Sequence, residues 1–355
     1  MLKHPAFRYT IAIVIGFSAL YFAFRKQHWH ELSVEISGTN LYLILAGTFV
    51  MFLSHLVRAW RYKMFLRPIA PHTRLFSAFR ALIAGYAANN LIPRAGDVVR
   101  PVLFSKRETI PISSSVAVLL IERLTDLIGL TAILIVSILL FRDEIALQFP
   151  SIGAAELPFV GILFLIFCSA LLIIFSEKKT AKVIHFIARS LPKRFEQSIE
   201  NSAIRIEEGL RGVRYGSGLP VIAGTLGISA LYTCSMYISS LAFPSTQLNH
   251  LGIVGCFLLQ SMSGIAYILP SPGGTGTYHF LVSQSLAAIF GVPPESAIAF
   301  ATLTHASNYI FTTAVGFSFM AADGISIATV REEAPVVAQA IRVARETRHE
   351  ALPLL

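Results

Sequence analysis

The sequence contains an uncharged stretch of 80 residues, from residue 215 to residue 294, without a single Asp, Glu, Lys or Arg. A helix that crosses a bilayer needs about 20 residues, so this stretch can hold several membrane-embedded segments. Charged residues make up only 14% of the chain, whereas soluble proteins carry about a quarter, and so few charges cannot cover a surface that faces water. These properties exclude a disordered chain, a coiled coil and an ordinary soluble enzyme. They predict an integral membrane protein.

Apolar segments predict an all-α polytopic membrane fold with about six full spans. The segments run over residues 9–24, 36–57, 112–141, 157–176, 218–243 and 296–322. Two further segments, 74–110 and 245–290, fit poorly as plain spans because charges or Pro-Gly sequences interrupt them. We expect each to form a re-entrant helical hairpin, which enters and leaves the membrane on the same face. For residues 251–291, two full spans are an open alternative.

Basic residues predict which side of the membrane each loop occupies. Residues 58–111 carry ten Lys or Arg against two acids, and residues 177–214 carry nine against five. The positive-inside rule places both regions and both termini in the cytoplasm, with the protein in the inner (cytoplasmic) membrane. The formal net charge of +9 then reflects topology and attraction to anionic lipids, and we expect no nucleic-acid partner. Residues 177–214 are predicted to form an amphipathic loop on the cytoplasmic membrane surface.

The two predicted hairpin tips resemble one another. Residues 91–96 (LIPRAG) and residues 268–273 (ILPSPG) both place two apolar residues before a Pro-x-x-Gly sequence. A predicted span precedes and follows each tip, and the predicted topology inserts the two hairpins from opposite faces. The pattern therefore predicts an inverted repeat, an architecture in which transporters place the substrate site near mid-membrane between broken helices.

The composition of the tips suits a reversal of the chain at membrane depth. Proline lacks a backbone donor and glycine permits tight turns, so these residues end one limb and begin the next. Asp97 and either Thr275 or Thr277 are expected to cap the second limbs, whose helix N-termini favour an anion such as a phosphate. Two tight structural turns are the alternative. The candidate substrate-path residues of the tips are Asn90, Pro93, Arg94, Gly96, Asp97, Arg100, Pro272, Gly273, Gly274, Gly276 and His279, with Asn89 as a further candidate.

Three charged residues lie within one turn of the apolar segment 112–141. Glu122 and Asp126 are four residues apart and share a helix face, while Arg123 lies to one side of it. We expect Arg123 to pair with an acid of a neighbouring helix or with Asp97. Ions inside a membrane are costly, so this group serves either a polar path for a charged headgroup or a structural network of ion pairs.

Other polar residues near the spans have mainly structural interpretations. Arg58 and Arg61, beside Trp60, are typical of residues that anchor a helix end at the membrane interface. His305 and Asn308 lie three residues apart on the last predicted span, and a lone histidine is more often a packing residue. We keep Arg58, His305 and Asn308 as additional substrate-path candidates.

Three motifs together resemble those of a known family. They are residues 90–100 (NLIPRAGDVVR), residues 122–126 (ERLTD) and residues 272–276 (PGGTG). In this order they resemble the lysylphosphatidylglycerol synthase transmembrane region, also called the flippase-like or UPF0104 membrane family. Asp97 replaces the usual Glu, and His279 stands where the family commonly carries an acid. The resemblance covers residues 5–325 and implies movement of a modified lipid between leaflets, or a role in envelope lipid and glycan assembly.

The resemblance implies a flippase-like transmembrane domain over residues 1–325 and a cytoplasmic tail over residues 326–355. No aminoacyltransferase domain follows the last predicted span, so a stand-alone member without enzyme activity is expected. We therefore predict a transporter for an anionic or phosphate-bearing membrane lipid, with a lipid-modifying enzyme as a candidate partner. We predict no catalytic residue, no metal site and no cofactor.

Two other functions stay open at this point. The first is a membrane enzyme or enzyme subunit that acts on lipid-linked sugars or phosphates, with Asp97, Glu122, Asp126 and His279 as acid–base groups. The second is a non-catalytic scaffold that docks a partner through residues 177–214.

Overall fold

The computed structural model describes residues 5–67, 70–93, 95–148 and 218–324, together with residues 161–165, 167 and 169. Within these ranges the regular elements are helical, which confirms the predicted all-α membrane fold. The helices are α1 (Pro5–Phe24), α2 (Trp29–Ser37), α3 (Leu41–Leu66), α4 (Leu75–Leu91), α5 (Gly96–Glu108), α6 (Ile112–Leu140), α7 (Arg142–Gln148), α8 (Gly218–Ser240), α9 (Thr246–Asn249), α10 (Gly252–Ile268), α11 (Thr277–Phe290) and α12 (Pro294–Ala322), with a 3-10 turn at Pro272–Gly274.

Several predictions fall on residues outside the described ranges. These are Arg94, most of the predicted span at 157–176, the loop at 177–214 and the tail at 326–355. The domain boundary at residue 325 therefore stays a prediction.

Three described helices are long and apolar enough to cross a membrane. They are α3, residues Ser114–Leu140 of α6, and α8, while Thr10–Phe24 and α10 are shorter apolar helices. Apolar side chains on these helices are exposed; for example, Leu45 and Phe49 of α3 are 59% and 56% exposed. Arg58 and Arg61 of the same helix are buried. Such an inverted distribution, with apolar residues outside and ions inside, is typical of a helix that faces lipid.

The helices α3 and α8, which precede the hairpins α4–α5 and α10–α11, pack along each other. Small residues let the backbones approach: the Ser235 hydroxyl donates to the Gly47 carbonyl at 2.7 Å. A Cβ added at Gly47 would lie 2.9 Å from the Ser235 carbonyl oxygen, so the contact requires glycine. Among the described helices, α4, α6, α10 and α12 pack against this pair.

Each tip joins two helices that pack side by side, α4 with α5 and α10 with α11. The hairpin α4–α5 also lies against α12, where Gly316 lies so close to α4 that an added Cβ would be 2.5 Å from the Cβ of Ala87. The hairpin α10–α11 contacts α6 through α10, with Ser137 and Ser261 hydroxyls 2.9 Å apart. Each hairpin therefore packs against the helix that follows the other hairpin: α4–α5 packs against α12, and α10–α11 packs against α6. The two halves of the protein interlock in this way.

The predicted caps of the second limbs are wrong. The helix α5 begins at Gly96, its N-cap is Ala95, and Asp97 lies inside the first turn with its side chain turned to another helix. The Gly96 N–H donates to the Asn89 side chain at 2.7 Å, so an amide of α4 supplies the capping acceptor. At the second tip Gly276, with φ of 86°, is the N-cap of α11. A positive φ suits glycine, which explains why neither threonine occupies that position.

Candidate functional site

A buried cluster of ions joins three helices of the first half. Asp126 of α6 accepts hydrogen bonds from both Arg58 and Arg61 of α3. Glu122, one turn earlier on α6, lies 2.6 Å from Arg100 of α5 and 3.4 Å from Arg58. The spacing of four residues places both acids on one face of α6, and the spacing of three places both arginines on one face of α3.

The cluster carries one positive charge in excess, because three arginines face two carboxylates. The arginine side chains Arg58, Arg61 and Arg100 are 10%, 1% and 5% exposed, and Glu122 is 2% exposed. Among the described residues, the Nε atoms of all three arginines are buried without a hydrogen-bond partner. Buried charges require compensation, so a cluster with a spare cation and unused donors suits an anion.

Residues of α8 and α3 hold the arginines in place. The Tyr232 hydroxyl lies 3.2 Å from Arg58, and the Thr225 hydroxyl lies 2.8 Å from Arg61. Arg100 lies over the ring of Tyr62, with its guanidinium carbon 4.2 Å from the ring centroid. The second half of the chain therefore contributes to the cluster through α8.

The interpretation of Arg58 and Arg61 as interface anchors is wrong. Both are buried in ion pairs, at 8% and 1% residue exposure, and neither occupies the surface position of an anchor. The spacing of Arg58, Arg61 and Tyr62, which places them on one helix face, was the signal in the sequence for a shared site. The partners of the two arginines, Thr225 and Tyr232, lie on a helix that is far away in the sequence. Sequence reasoning missed Arg61, Tyr62, Thr225 and Tyr232 as members of the site.

A second ion pair lies beside the cluster and is open to the surroundings. Arg123 pairs with Asp97 at 2.9 Å, which confirms the predicted partner of Arg123. Their side chains are 49% and 41% exposed, in contrast to the buried neighbours Glu122 and Arg100. The structure thus brings Asp97, Arg100, Glu122 and Arg123 together as one group with an exposed and a buried part.

The two tips meet at α12. The Tyr309 hydroxyl donates to the backbone carbonyl of Asn90 at 2.7 Å, and the Asn90 amide donates to the Thr313 hydroxyl at 2.8 Å. On the other side, a Cβ added at Gly273 would lie 2.7 Å from the Asn90 side-chain oxygen. Asn90 and Gly273 are therefore in direct contact, as the prediction of a common site between the tips requires.

The other described tip residues lie in the turns or at the first residue of the following helix. Pro93 lies between α4 and α5, and Gly96 packs against Gly85 of the same hairpin. Pro272 and Gly274 form the 3-10 turn.

The candidate histidines both contact the second tip. His305 Nε2 lies 2.9 Å from the Gly273 carbonyl oxygen, and the Gly276 N–H donates to His279 Nδ1 at 3.4 Å. Asn308, by contrast, donates back to Thr304 of its own helix at 2.8 Å.

Another ionic cluster, which the sequence analysis did not predict, lies at the other end of the first hairpin. Asp323, just after α12, accepts from Arg80 of α4 at 2.5 Å and also pairs with Arg107 of α5. The Arg80 guanidinium lies near the rings of Phe76 and Phe319. These contacts fasten the ends of α4 and α5 to the end of α12. In the described part of the chain, no group of three or more His, Cys, Asp or Glu side chains is arranged to hold a metal ion.

Comparison with known proteins gives the family. The profile of the lysylphosphatidylglycerol synthase transmembrane region matches residues 9–316, and the chain belongs to this family. It is similar to the glycosyltransferase AglD of Haloferax volcanii, with 25% identity over 87% of this chain and 52% of that protein. It is also similar to the UPF0104 membrane protein MJ1595 of Methanocaldococcus jannaschii, with 22% identity over 90% of this chain and 96% of that protein. The chain thus spans about half the length of AglD, and nearly all of MJ1595.

Proposed function

We propose that this member of the family moves a lipid with a polar, phosphate-bearing headgroup between the leaflets of the cytoplasmic membrane. The observation that carries the proposal is the excess positive charge of the buried cluster formed by Arg58, Arg61, Arg100, Glu122 and Asp126. In this proposal the protein is a transporter without enzyme activity, and an anionic lipid headgroup is its partner.

The headgroup reaches the cluster through the exposed pair Asp97–Arg123. Moving an ion from water into a medium of low dielectric constant costs on the order of 20 kcal/mol in the idealised limit. A spare cation and three unused arginine Nε donors offset part of that cost for a phosphate. Apolar side chains beside the polar group, such as Leu124 and Leu127 of α6, are 43% and 51% exposed and suit the acyl chains.

The topology belongs to the same proposal. Six full spans, with both termini in the cytoplasm, leave α4–α5 and α10–α11 as re-entrant hairpins of an inverted repeat. The contact between Asn90 and Gly273, and the packing of each hairpin against the helix after the other tip, support this arrangement. Because the sequence has no Walker A motif, lipid movement would be downhill or coupled to an ion.

Reconstitution tests the function directly. The full chain is placed in phosphatidylglycerol-containing vesicles with a fluorescent phosphatidylglycerol, and dithionite added outside reports how fast the inner-leaflet probe becomes accessible. Arg100→Gln removes the excess charge and should abolish the acceleration of exchange. Arg25→Gln is the matched control, because Arg25 is exposed and lies outside the cluster. Equal exchange with wild-type protein, Arg100→Gln protein and empty vesicles would refute the proposal.

A second candidate function is a membrane enzyme, or a subunit of one, in the assembly of lipid-linked glycans. The similarity to the glycosyltransferase AglD over 87% of this chain favours it. An enzyme would convert a lipid-linked substrate in detergent, where no leaflets exist, and a transporter would not. Product formation by the purified chain in detergent micelles would therefore favour the enzyme over the transporter.

A further inference from the structure

Two histidines that the anion cluster does not use lie side by side at the second tip. The ring centroids of His279 on α11 and His305 on α12 are 4.9 Å apart, and the residues are 6% and 5% exposed. They are thus a pair of buried titratable groups at the junction of the two halves.

The hydrogen bonds assign the protons of both rings. The carbonyl oxygen of Gly273 can only accept, so Nε2 of His305 donates to it and carries a proton. The backbone N–H of Gly276 can only donate, so Nδ1 of His279 accepts and carries none. Each histidine therefore holds one end of the tip loop by a hydrogen bond. Both hydrogen bonds depend on which nitrogen of the imidazole ring carries a proton.

The loop held in this way forms the junction between the tips. Gly273, Gly274 and Gly276 have φ angles of 53°, 79° and 86°, which makes this the reversal point of the chain. Gly273 lies against Asn90 of the first tip, and Gly276 lies against Gly16 of α1, where an added Cβ would be 1.9 Å from the carbonyl oxygen. A shift of the loop therefore changes the contact between the tips.

Uptake of one proton by the pair has a defined structural consequence. A proton bound to Nδ1 of His279 converts the acceptor of the Gly276 N–H into a second donor, so the hydrogen bond is lost and two N–H groups face one another. A second proton would place two imidazolium rings 4.9 Å apart, where like charges repel. The pair is thus suited to take one proton, and that proton releases one end of the loop.

The surroundings contain titratable but uncharged side chains. Tyr278 of α11 and Tyr309 of α12 lie against the His305 ring, and Tyr267 of α10 lies against Tyr278. From α1 the ring of Phe24 faces His279, and residues 10–24 carry no charged side chain. The charged residues of α7, at 142–144, belong to the helix that packs beside the far end of α11. No ion pair between described residues includes either histidine.

We propose that His279 and His305 form a proton-binding site that couples lipid movement to proton uptake by unlatching the second tip. We call the hydrogen bond from the Gly276 N–H to His279 Nδ1 the latch. The coupling to lipid movement rests on the proposed function, whereas the opening of the latch by a proton does not. A proton from water binds His279, the hydrogen bond to Gly276 breaks, and the loop, still held at Gly273 by His305, pivots and changes its contact with Asn90. Release of the proton restores the closed tip.

Spin-label distances test the latch without any lipid substrate. Labels are attached to cysteines at Leu91 and Leu269, both exposed beside their tips, in a full-length protein without its native cysteines. In nanodiscs the distance distribution should lengthen as the pH is lowered from about 8 to about 4, a range that extends below the ordinary histidine range because buried, uncharged surroundings disfavour the imidazolium. His279→Gln keeps an acceptor but cannot take the proton and should not respond. His55→Gln, which removes a buried histidine away from the second tip, should respond like the parent.

Lipid exchange measured on the same proteins separates the two proposals. Exchange by the parent should accelerate at the lower pH, and His279→Gln should show no pH dependence. A distance change with pH but no lipid exchange would support the latch and refute lipid movement. Lipid exchange without any pH response of the distances would refute the latch and leave lipid movement standing. A pH response that persists in His279→Gln would also overturn the latch.

Discussion

Both tip regions reverse the direction of the chain between two packed helices, but they do so with different residues. The first tip leads into helices that carry Arg100, Glu122 and Asp126 in a dense set of buried ion pairs. The second tip contains no charged residue and relies on three glycines with positive φ and on two histidines. Ion pairs buried between helices hold a fixed arrangement, whereas a glycine loop held by single hydrogen bonds can change shape. On the proposed function, the first region binds the lipid headgroup and the second region changes conformation.

The largest effect is expected from loss of charge in the first region. Glu122→Gln leaves Arg100 without its buried carboxylate, and removal of one partner from a buried pair typically costs about 3–5 kcal/mol. We expect a large decrease in thermal stability in detergent. The double variant Glu122→Gln with Arg100→Gln should recover much of it. Glu144→Gln, which neutralises an exposed acid of α7, is the matched control and should unfold like the parent. Equal stability of Glu122→Gln and Glu144→Gln would mean that the cluster does not hold the first region together.

A smaller effect is expected from a methyl group in the second region. Gly276→Ala forces a side chain onto a φ of 86° and into the carbonyl of Gly16, and an unusual backbone conformation typically costs about 1–3 kcal/mol before the clash is counted. Gly291→Ala is the control, because its φ is 60° and an added Cβ has nothing within 4 Å. The difference between their unfolding temperatures therefore reports the contact with α1 together with the greater backbone strain at Gly276, whose ψ is −57° against 25° at Gly291. If Gly276→Ala were no worse than Gly291→Ala, the tip would not be seated against α1.

The smallest effect on stability, with a large effect on function, is expected at the exposed ion pair. Arg123→Gln breaks a pair whose members are about half exposed, which on the proposed function face the water-filled mouth of the headgroup path, and pairs exposed to water are typically worth about 0–1 kcal/mol. We therefore expect nearly unchanged thermal stability and loss of lipid exchange in vesicles. The double variant Arg123→Gln with Asp97→Asn should be as stable and still inactive. Recovery of exchange in the double variant would indicate a structural lock between the first hairpin and α6, and full activity of Arg123→Gln alone would remove Arg123 from the path.

The sequence predicted those features that depend on local chemistry. Long apolar segments located α3, α6 and α8 as spans. The isolated charge of Arg123 led to two candidate partners, an acid of a neighbouring helix or Asp97, and the structure shows Asp97. The tip motifs located the two turns that meet at Asn90 and Gly273. These predictions needed only helix periodicity and the cost of isolated charge in an apolar segment.

What the sequence did not reveal depends on which helices become neighbours. Arg61 reads as an interface anchor until α3 is placed against α6 and α8, where it meets Asp126 and Thr225. Asp97 reads as a helix cap until Asn89 is seen to bind the Gly96 N–H. The partners of Arg61 are far from it in the sequence, and Asn89 lies on the other helix of the same hairpin. Rules that consider only neighbouring residues therefore assigned the wrong role to both Arg61 and Asp97.

The contact of Asp323 with the first hairpin has a consequence for how the chain is made. Asp323 follows Arg80 by 243 residues and Arg107 by 216 residues. At a synthesis rate of about 5–20 residues per second, the ribosome needs roughly 12–50 s to reach Asp323 after Arg80 has emerged. During that interval the first hairpin is present in the membrane without α12, the helix on which it packs. Biogenesis therefore has to shelter an unfinished first half, either in the insertion machinery or in a provisional arrangement that the last helix displaces.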